Sequence, residues 1–147
     1  MSALQAEEPS VDARVRGGFQ RQRIMNLIGA VLTRVAPGAV EIELPFRDDL
    51  TQQHGYVHGG IVAAIADSAC GYASLSLAPV GTEVLTLEYK INFLAPASGA
   101  KLVARGHVVR AGRTVSVCEG KVLAVSGDTE MEIAAMLATM MFGKGAK

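Results

Sequence analysis

The 147-residue sequence lacks tryptophan, contains only two cysteines and has no excess of either charge, because 14 basic residues balance 14 acidic ones. A protein that binds nucleic acid needs surplus positive charge to meet the phosphates, so this balance argues against that class of partner. Cys70 and Cys118 are far apart and show no metal-binding or redox spacing. We therefore interpret them as small buried apolar residues of a reducing compartment, without a disulfide.

Signals for export or membrane insertion are also sparse. The N-terminal residues MSALQAEEPS include two acids and no apolar stretch, unlike a secretory signal. Residues 57–78 are the only candidate for a membrane span, but they contain serines, an aspartate and many small residues, without flanking Lys or Arg. These features predict a cytoplasmic protein that has no membrane partner.

The apolar pattern predicts one domain of the α+β class. Half of the residues are hydrophobic, and a chain of this length can bury a core of its own. We predict a disordered lead over residues 1–10 and a single domain over residues 11–147. The predicted order is a helix, two strands, a long helix and about four strands, which implies that one sheet covers one helix.

Local signals predict where these elements begin and end. A short helix is predicted within residues 11–28, starting after Gly17 and Gly18 because glycines weaken a helix. Hairpin turns are predicted at Pro37-Gly38 and Ala111-Gly112, each between two β-like runs. The run AVEIELP alternates apolar and acidic residues, as a strand with one buried face does. The last run, EMEIAAMLATMMF, favours a helix by composition, but we predict a strand that completes the sheet.

The segment HGYVHGGIVAAIADSACGYASLSLA, residues 54–78, contains the main functional signal. Residues 60–77 lack a polar face, so the predicted helix belongs in a core. Asp67 lies two turns inside this helix, too deep for an N-cap. Burying a lone carboxylate is costly, so Asp67 is either paired, protonated or catalytic. A purely structural hydrogen bond to Ser, Thr or backbone groups remains the alternative.

The two glycines at the start of this helix suggest a second functional group. Gly59 and Gly60 follow His58, and their backbone N–H groups are expected to be unpaired at the helix N-terminus. Such groups, with the helix dipole behind them, polarise a carbonyl and stabilise an oxyanion. A simple turn is the alternative explanation for the glycines. Together with Asp67 they suggest acyl chemistry.

The motif HGYVHGGIVAAIADSACGYAS resembles the signature of the hotdog-fold acyl-CoA thioesterases, in particular the PaaI-type branch of the 4-hydroxybenzoyl-CoA thioesterase superfamily. The resemblance continues through GTEVLTLEYKINFLAPA and VVRAGRTVSVCEGKVLA and covers about residues 20–142. It implies a long helix wrapped by a curved antiparallel sheet, and a homodimer with one continuous sheet that often assembles further into a homotetramer. It also implies hydrolysis of acyl-CoA without a metal or cofactor.

The resemblance assigns roles to five residues of this chain. Asp67 matches the general base or nucleophile, without deciding between the two. Gly59 matches the residue whose backbone N–H meets the thioester carbonyl, and His58 supports that loop. Gln52 stands where the family commonly has an asparagine, and Thr86 matches a Ser or Thr that contacts the carboxylate or its water.

Three further residues are candidate ligand contacts. Gly60 is predicted to contact substrate, and Arg110 and Arg113 to bind CoA phosphates, because arginine matches phosphate with two parallel hydrogen bonds. Solvated charges at a hairpin tip are the alternative for both arginines. His54 and His58 have a metal-like spacing, but zinc requires a third protein ligand, so no metal site is predicted.

Two other functions are compatible with a hotdog fold, and the acyl group is not specified by the sequence. A hotdog hydratase or dehydratase uses a different Asp/His arrangement, which is not found here. A non-catalytic hotdog protein that binds acyl-CoA is the remaining alternative. Aromatic residues make up only 5% of the chain, which disfavours an aromatic-lined pocket without excluding aryl substrates.

Overall fold

The computed structural model describes residues 7–145 and confirms the α+β plan, with one long helix and a six-stranded sheet. The predicted disordered lead falls partly outside the described residues, which begin at Glu7; residues 7–10 form neither helix nor strand. The elements in chain order are α1 Val11–Arg21, α2 Arg23–Ile28, β1 Val31–Ala36, β2 Ala39–Pro45, a 3₁₀ turn Asp48–Leu50, α3 Gly59–Leu77, β3 Thr82–Phe93, β4 Lys101–Ala111, β5 Val115–Ser126 and β6 Thr129–Lys144.

The predicted start of the first helix is wrong. Helix α1 begins at Val11 and continues through both glycines, and its N-cap Ser10 accepts a hydrogen bond from the Ala13 N–H at 3.1 Å. Burial of Val15 and Phe19 against α3 outweighs the weak helix propensity of the glycines. A second short helix, α2, follows after an extended residue and ends at a left-handed glycine.

The sheet is antiparallel throughout, with strand order β1-β2-β4-β5-β6-β3. Both predicted hairpins are confirmed: β1 pairs with β2, and β4 with β5. The alternation in β2 is confirmed too, because Val40, Ile42 and Leu44 are all buried. The methionine-rich last run forms strand β6, as predicted, and pairs with both β5 and β3.

Helix α3 lies across the concave face of the sheet, and it packs closely because two strand residues have no side chain. A Cβ atom at Gly106 of β4 would lie 2.4 Å from the Ala69 carbonyl carbon, and one at Gly120 of β5 would lie 3.0 Å from Cys70 Sγ. These contacts place the helix directly on the strands. By length and composition α3 would also suit a membrane span, but 56% of that apolar window is buried inside the fold.

One edge of the sheet exposes large apolar side chains. Strand β3 forms one edge and has large exposed apolar residues, among them Leu85 at 65% and Leu87 at 52% relative exposure. A bulge between Thr86 and Glu88 shifts the register of β3 against β6. A long apolar edge strand is a template for pairing with another chain. Edge β3 therefore has the features of a surface that pairs with another strand.

Candidate active site

The carboxylate of Asp67 faces strand β3 and is half-buried. The Thr86 hydroxyl donates a hydrogen bond of 2.7 Å to Asp67 Oδ1, so the two residues that the sequence singled out are in contact. Burial raises the pKa of Asp67, and the hydrogen bond from Thr86 opposes that rise. Among the described residues nothing donates a hydrogen bond to Oδ2, which leaves this oxygen free for a water molecule or a substrate carbon.

Asp67 and Thr86 line a cavity of about 630 Å³ between α1, α3 and the start of β3. We call it the α1 cavity. Its far wall includes Tyr72, whose ring packs edge-on against Phe19 of α1 at 5.9 Å between ring centroids. Burial raises the pKa of Tyr72 to about 12. Gln22, between α1 and α2, donates a hydrogen bond of 3.0 Å to the Ser68 hydroxyl and so ties α1 to the helix that carries Asp67.

The N-terminal end of α3 forms the second part of the candidate site. His58 is the N-cap: its Nδ1 accepts a hydrogen bond of 2.8 Å from the Gly60 N–H. The expectation that the Gly60 N–H is unpaired is therefore wrong, because the imidazole caps it. The Gly59 N–H has no hydrogen-bond acceptor among the described residues, as expected for a group that could meet a thioester carbonyl.

The loop before α3 is held by its own hydrogen bonds. Gln52 donates its backbone N–H to the Tyr56 carbonyl at 2.8 Å, and its side-chain Oε1 accepts the His54 N–H at 2.5 Å. The His58 N–H donates to the Leu50 carbonyl at 2.9 Å. These bonds bring Gln52 to the same surface as Gly59.

Gln52 and Gly59 line a second cavity, of about 410 Å³, which we call the loop cavity. The ring of Phe93 forms one wall, and a Cβ atom at Gly59 would lie 3.1 Å from its Cζ atom. Side chains at Phe93 and Tyr72 thus shape the candidate site, and the sequence analysis assigned neither of them. In the sequence, Phe93 belongs to the alternating run of β3 and Tyr72 to the apolar helix α3. Ordinary core residues show the same patterns, so neither position is marked as functional.

The candidate residues form two groups that do not meet within one chain. Asp67 and Thr86 line the α1 cavity, whereas Gln52, His58 and Gly59 lie together at the N-terminal end of α3. Eight residues separate Gly59 from Asp67, which at 1.5 Å per residue is about 12 Å along the helix axis. A base and an oxyanion donor must both come within about 3 Å of the reacting group.

The remaining candidates lie apart from both cavities. Arg110 and Arg113 flank the exposed β4–β5 turn and line neither cavity, so CoA phosphate binding by them stays a prediction. Cys70 and Cys118 are buried and free, as predicted, and burial raises the pKa of both thiols. Within residues 7–145, no group of three His, Cys, Asp or Glu side chains is placed to hold a metal ion.

Comparison with known proteins identifies the family of this chain. The model of the thioesterase superfamily matches residues 54–142. A solved structure of a thioesterase family protein from Silicibacter pomeroyi is 43% identical, with a TM-score of 0.90, over 92% of this chain and 100% of that one. Acyl-coenzyme A thioesterase 13 of Homo sapiens is 28% identical over 96 residues, 65% of this chain and 66% of that protein.

A more distant structure shows the same fold. The PaaI protein of the phenylacetic acid degradation operon of E. coli superimposes with a TM-score of 0.83 over 92% of this chain and 95% of that one, at 18% identity. The family match covers more than half of the present chain, and its fold, a long helix under a six-stranded antiparallel sheet, is that of these thioesterases. The chain therefore belongs to the thioesterase superfamily and is a thioester hydrolase with the hotdog fold.

Proposed function

We propose that this protein hydrolyses acyl-CoA thioesters to the free acid and CoA, at a site shared between two copies of the chain. Asp67 and Thr86 come from one copy, and Gly59, with His58 and Gln52 behind it, from the other. The observation that supports this proposal best is the axial separation of about 12 Å, which is about twice the roughly 6 Å that two groups can span when each lies within about 3 Å of one reacting group. The name of the human relative, an acyl-coenzyme A thioesterase, supports CoA as the thiol.

Two surfaces support pairing of this kind. The apolar edge of β3 offers Leu85 and Leu87 to a second copy. The outward stripe of α3 contains Ala64 and Asp67, and the small side chain of Ala64 lets a second helix approach closely. An isologous pair related by a two-fold axis sets the two α3 helices antiparallel, with the start of one beside the middle of the other. A homotetramer stays a prediction.

The chemistry follows from the groups that such a pair would assemble. The Gly59 N–H donates a hydrogen bond to the thioester oxygen, which gains negative charge as the carbonyl carbon is attacked. Asp67 either takes a proton from the attacking water or attacks the carbon itself to form an anhydride that water then opens. In both routes the carbon–sulfur bond breaks and the CoA sulfur leaves with its electron pair and takes up a proton. Thr86 holds Oδ1, so Oδ2 is the reacting oxygen.

Subunit exchange between two inactive variants tests the shared site. We call Asp67 and Thr86 the acid half of the site, and Gln52, His58 and Gly59 the loop half. Asp67→Ala disrupts the acid half, and Gln52→Ala with His58→Ala disrupts the loop half. After random exchange half of the dimers are mixed, and each mixed dimer has one intact site of two, so about a quarter of wild-type CoA release should return. Native mass spectrometry confirms the exchange. Mixed dimers that form but stay inactive would show that each site lies within one chain.

A further inference from the structure

We propose that Gly71 of α3, together with Gly17 of α1, sets the width of the pocket for the acyl group and so determines which acyl chains this enzyme accepts. The inference rests on the proposed function and adds a pair of specificity-determining residues to it. In this proposal the acyl group of the thioester occupies the α1 cavity, and the cavity is as wide as it is because Gly17 and Gly71 have no side chains.

Gly71 lies one helical turn beyond Asp67 on the same face of α3. Both residues line the α1 cavity, and four residues of helix separate them by about 6 Å along the axis. Apart from its chain neighbours and the backbone of its own helix, a Cβ atom at Gly71 would have no heavy atom within 4 Å, so the helix borders open space at this position. A group that leaves the carbonyl carbon beside Asp67 and runs along α3 therefore passes over Gly71.

The opposite wall of the cavity is also open at a glycine. Gly17 of α1 lines the cavity, and a Cβ atom there would meet only the end of the Arg21 side chain, at 3.5 Å. The neighbouring Gly18 differs, because its Cβ atom would lie 3.1 Å from the Tyr72 ring. Gly18 thus permits contact between α1 and α3, whereas Gly17 and Gly71 leave space between them.

The charges around the cavity favour the acyl group over the nucleotide end of CoA. The carboxylates of Asp67 and Glu83 offset the guanidinium groups of Arg14 and Arg21. Arg14 is further occupied, since its two Nη atoms donate hydrogen bonds to the carbonyls of Ala78 and Pro79, at 2.9 and 3.3 Å. The cavity therefore has no surplus of positive charge to hold the CoA phosphates. An uncharged acyl group does not need positive charge in order to bind there.

A size series at Gly71, measured against acyl length, tests the inference. Wild type and the variants Gly71→Ala, Gly71→Val and Gly71→Leu are assayed for CoA release from acetyl-, butanoyl-, octanoyl- and phenylacetyl-CoA. As the side chain grows, kcat/KM for the octanoyl and phenylacetyl substrates should fall stepwise, by at least about 10-fold for leucine, while acetyl-CoA changes little. Gly17→Leu should produce the same shift from the opposite wall.

The controls separate pocket filling from damage to the fold. Gln20→Leu adds the same side chain to an exposed position of α1 outside the cavity and should leave the length profile of wild type unchanged. Gly71→Ala should melt at or above the wild-type temperature, since alanine favours a helix. Equal losses for short and long substrates, or no loss at all, would overturn the assignment of the cavity. If wild type released no CoA from any substrate, the proposed function itself would fall.

Discussion

The start of α3 and its middle present opposite kinds of chemistry on one helix. At the start, the reactive group is the backbone N–H of Gly59, which needs no side chain and is reinforced by the helix dipole. In the middle, it is the carboxylate of Asp67, a side chain held by Thr86 where burial disfavours its charge. In the proposed mechanism the first group stabilises negative charge and the second supplies it, so the two are complementary halves of one proposed site.

The two halves also differ in the cavity that each borders and in the contacts that hold each in place. The loop half borders a cavity with an apolar wall at Phe93. It is held by hydrogen bonds within residues 50–60 and by one from the Val57 N–H to the Ala97 carbonyl, at 2.9 Å. The acid half borders the larger α1 cavity, which depends on α1 packing against α3. Each half is thus ordered within its own chain, although neither is complete. Under the proposed mechanism, one chain thus folds with both halves formed and requires a second copy for catalysis.

The largest effect is expected from removing the acid half. Asp67→Asn keeps the size of the side chain and an oxygen that can accept the Thr86 hydrogen bond, but it deletes the base or nucleophile. CoA release should fall by about 10²- to 10⁴-fold, the range for loss of a general base. A thiol reagent measures release, and Asp128→Asn, at an exposed turn, is the control. A folded Asp67→Asn protein with normal turnover would refute a catalytic role.

Removal of the Gly59 N–H from the loop half is expected to have the next largest effect. A proline at this position tests it, because proline has no backbone N–H. Gly59 is the first residue of α3, where proline is well tolerated, and His58 has φ −59° and ψ 136°, which suit a residue before proline. Gly59→Pro therefore deletes the N–H and should lower kcat by about 10²- to 10³-fold.

Gly59→Ala is the matched control for this substitution. Alanine keeps the N–H and places a Cβ atom against the same Phe93 ring, at 3.1 Å before the ring shifts. Any loss that both variants share is due to crowding, and the additional loss in the proline variant is due to the N–H. Equal activities of the two variants would remove the Gly59 N–H from the mechanism.

The parts of the fold that were predicted correctly depend on local patterns. The alternation in β2 and the glycine turns of both hairpins are set by a few neighbouring residues, so the sequence is sufficient to predict them. The contact of Thr86 with Asp67 agrees with the family resemblance, because the resemblance aligned both positions. A buried acid deep inside an apolar helix is unusual enough to be recognised without any structure.

The parts that were missed depend on tertiary contacts. Helix α1 runs through Gly17 and Gly18 because Phe19 and Tyr72 pack together, and propensity alone does not include that contact. The Gly60 N–H is capped by a side chain two residues earlier, whose rotamer no sequence pattern specifies. The open space over Gly71 exists only after α1 and β3 are placed around α3.

The smallest expected effect is a change in how the stability of the protein depends on pH, and it is due to Asp67. Burial raises the pKa of Asp67 in the folded protein, so its contribution to stability is fully present below the unfolded pKa of about 3.9 and is lost as pH rises through the folded pKa. Asp67→Asn cannot ionise. Its free energy of unfolding should match that of wild type below the unfolded pKa, exceed it as pH rises from there, and keep a constant excess above the folded pKa of Asp67. Urea unfolding of both proteins across this range measures the difference, with Asp128→Asn expected to show no such trend. If wild type were instead the more stable protein at neutral pH, the contacts of the ionised Asp67 carboxylate would outweigh the cost of its burial. Asp67 would then be a residue that stabilises the fold in its charged form.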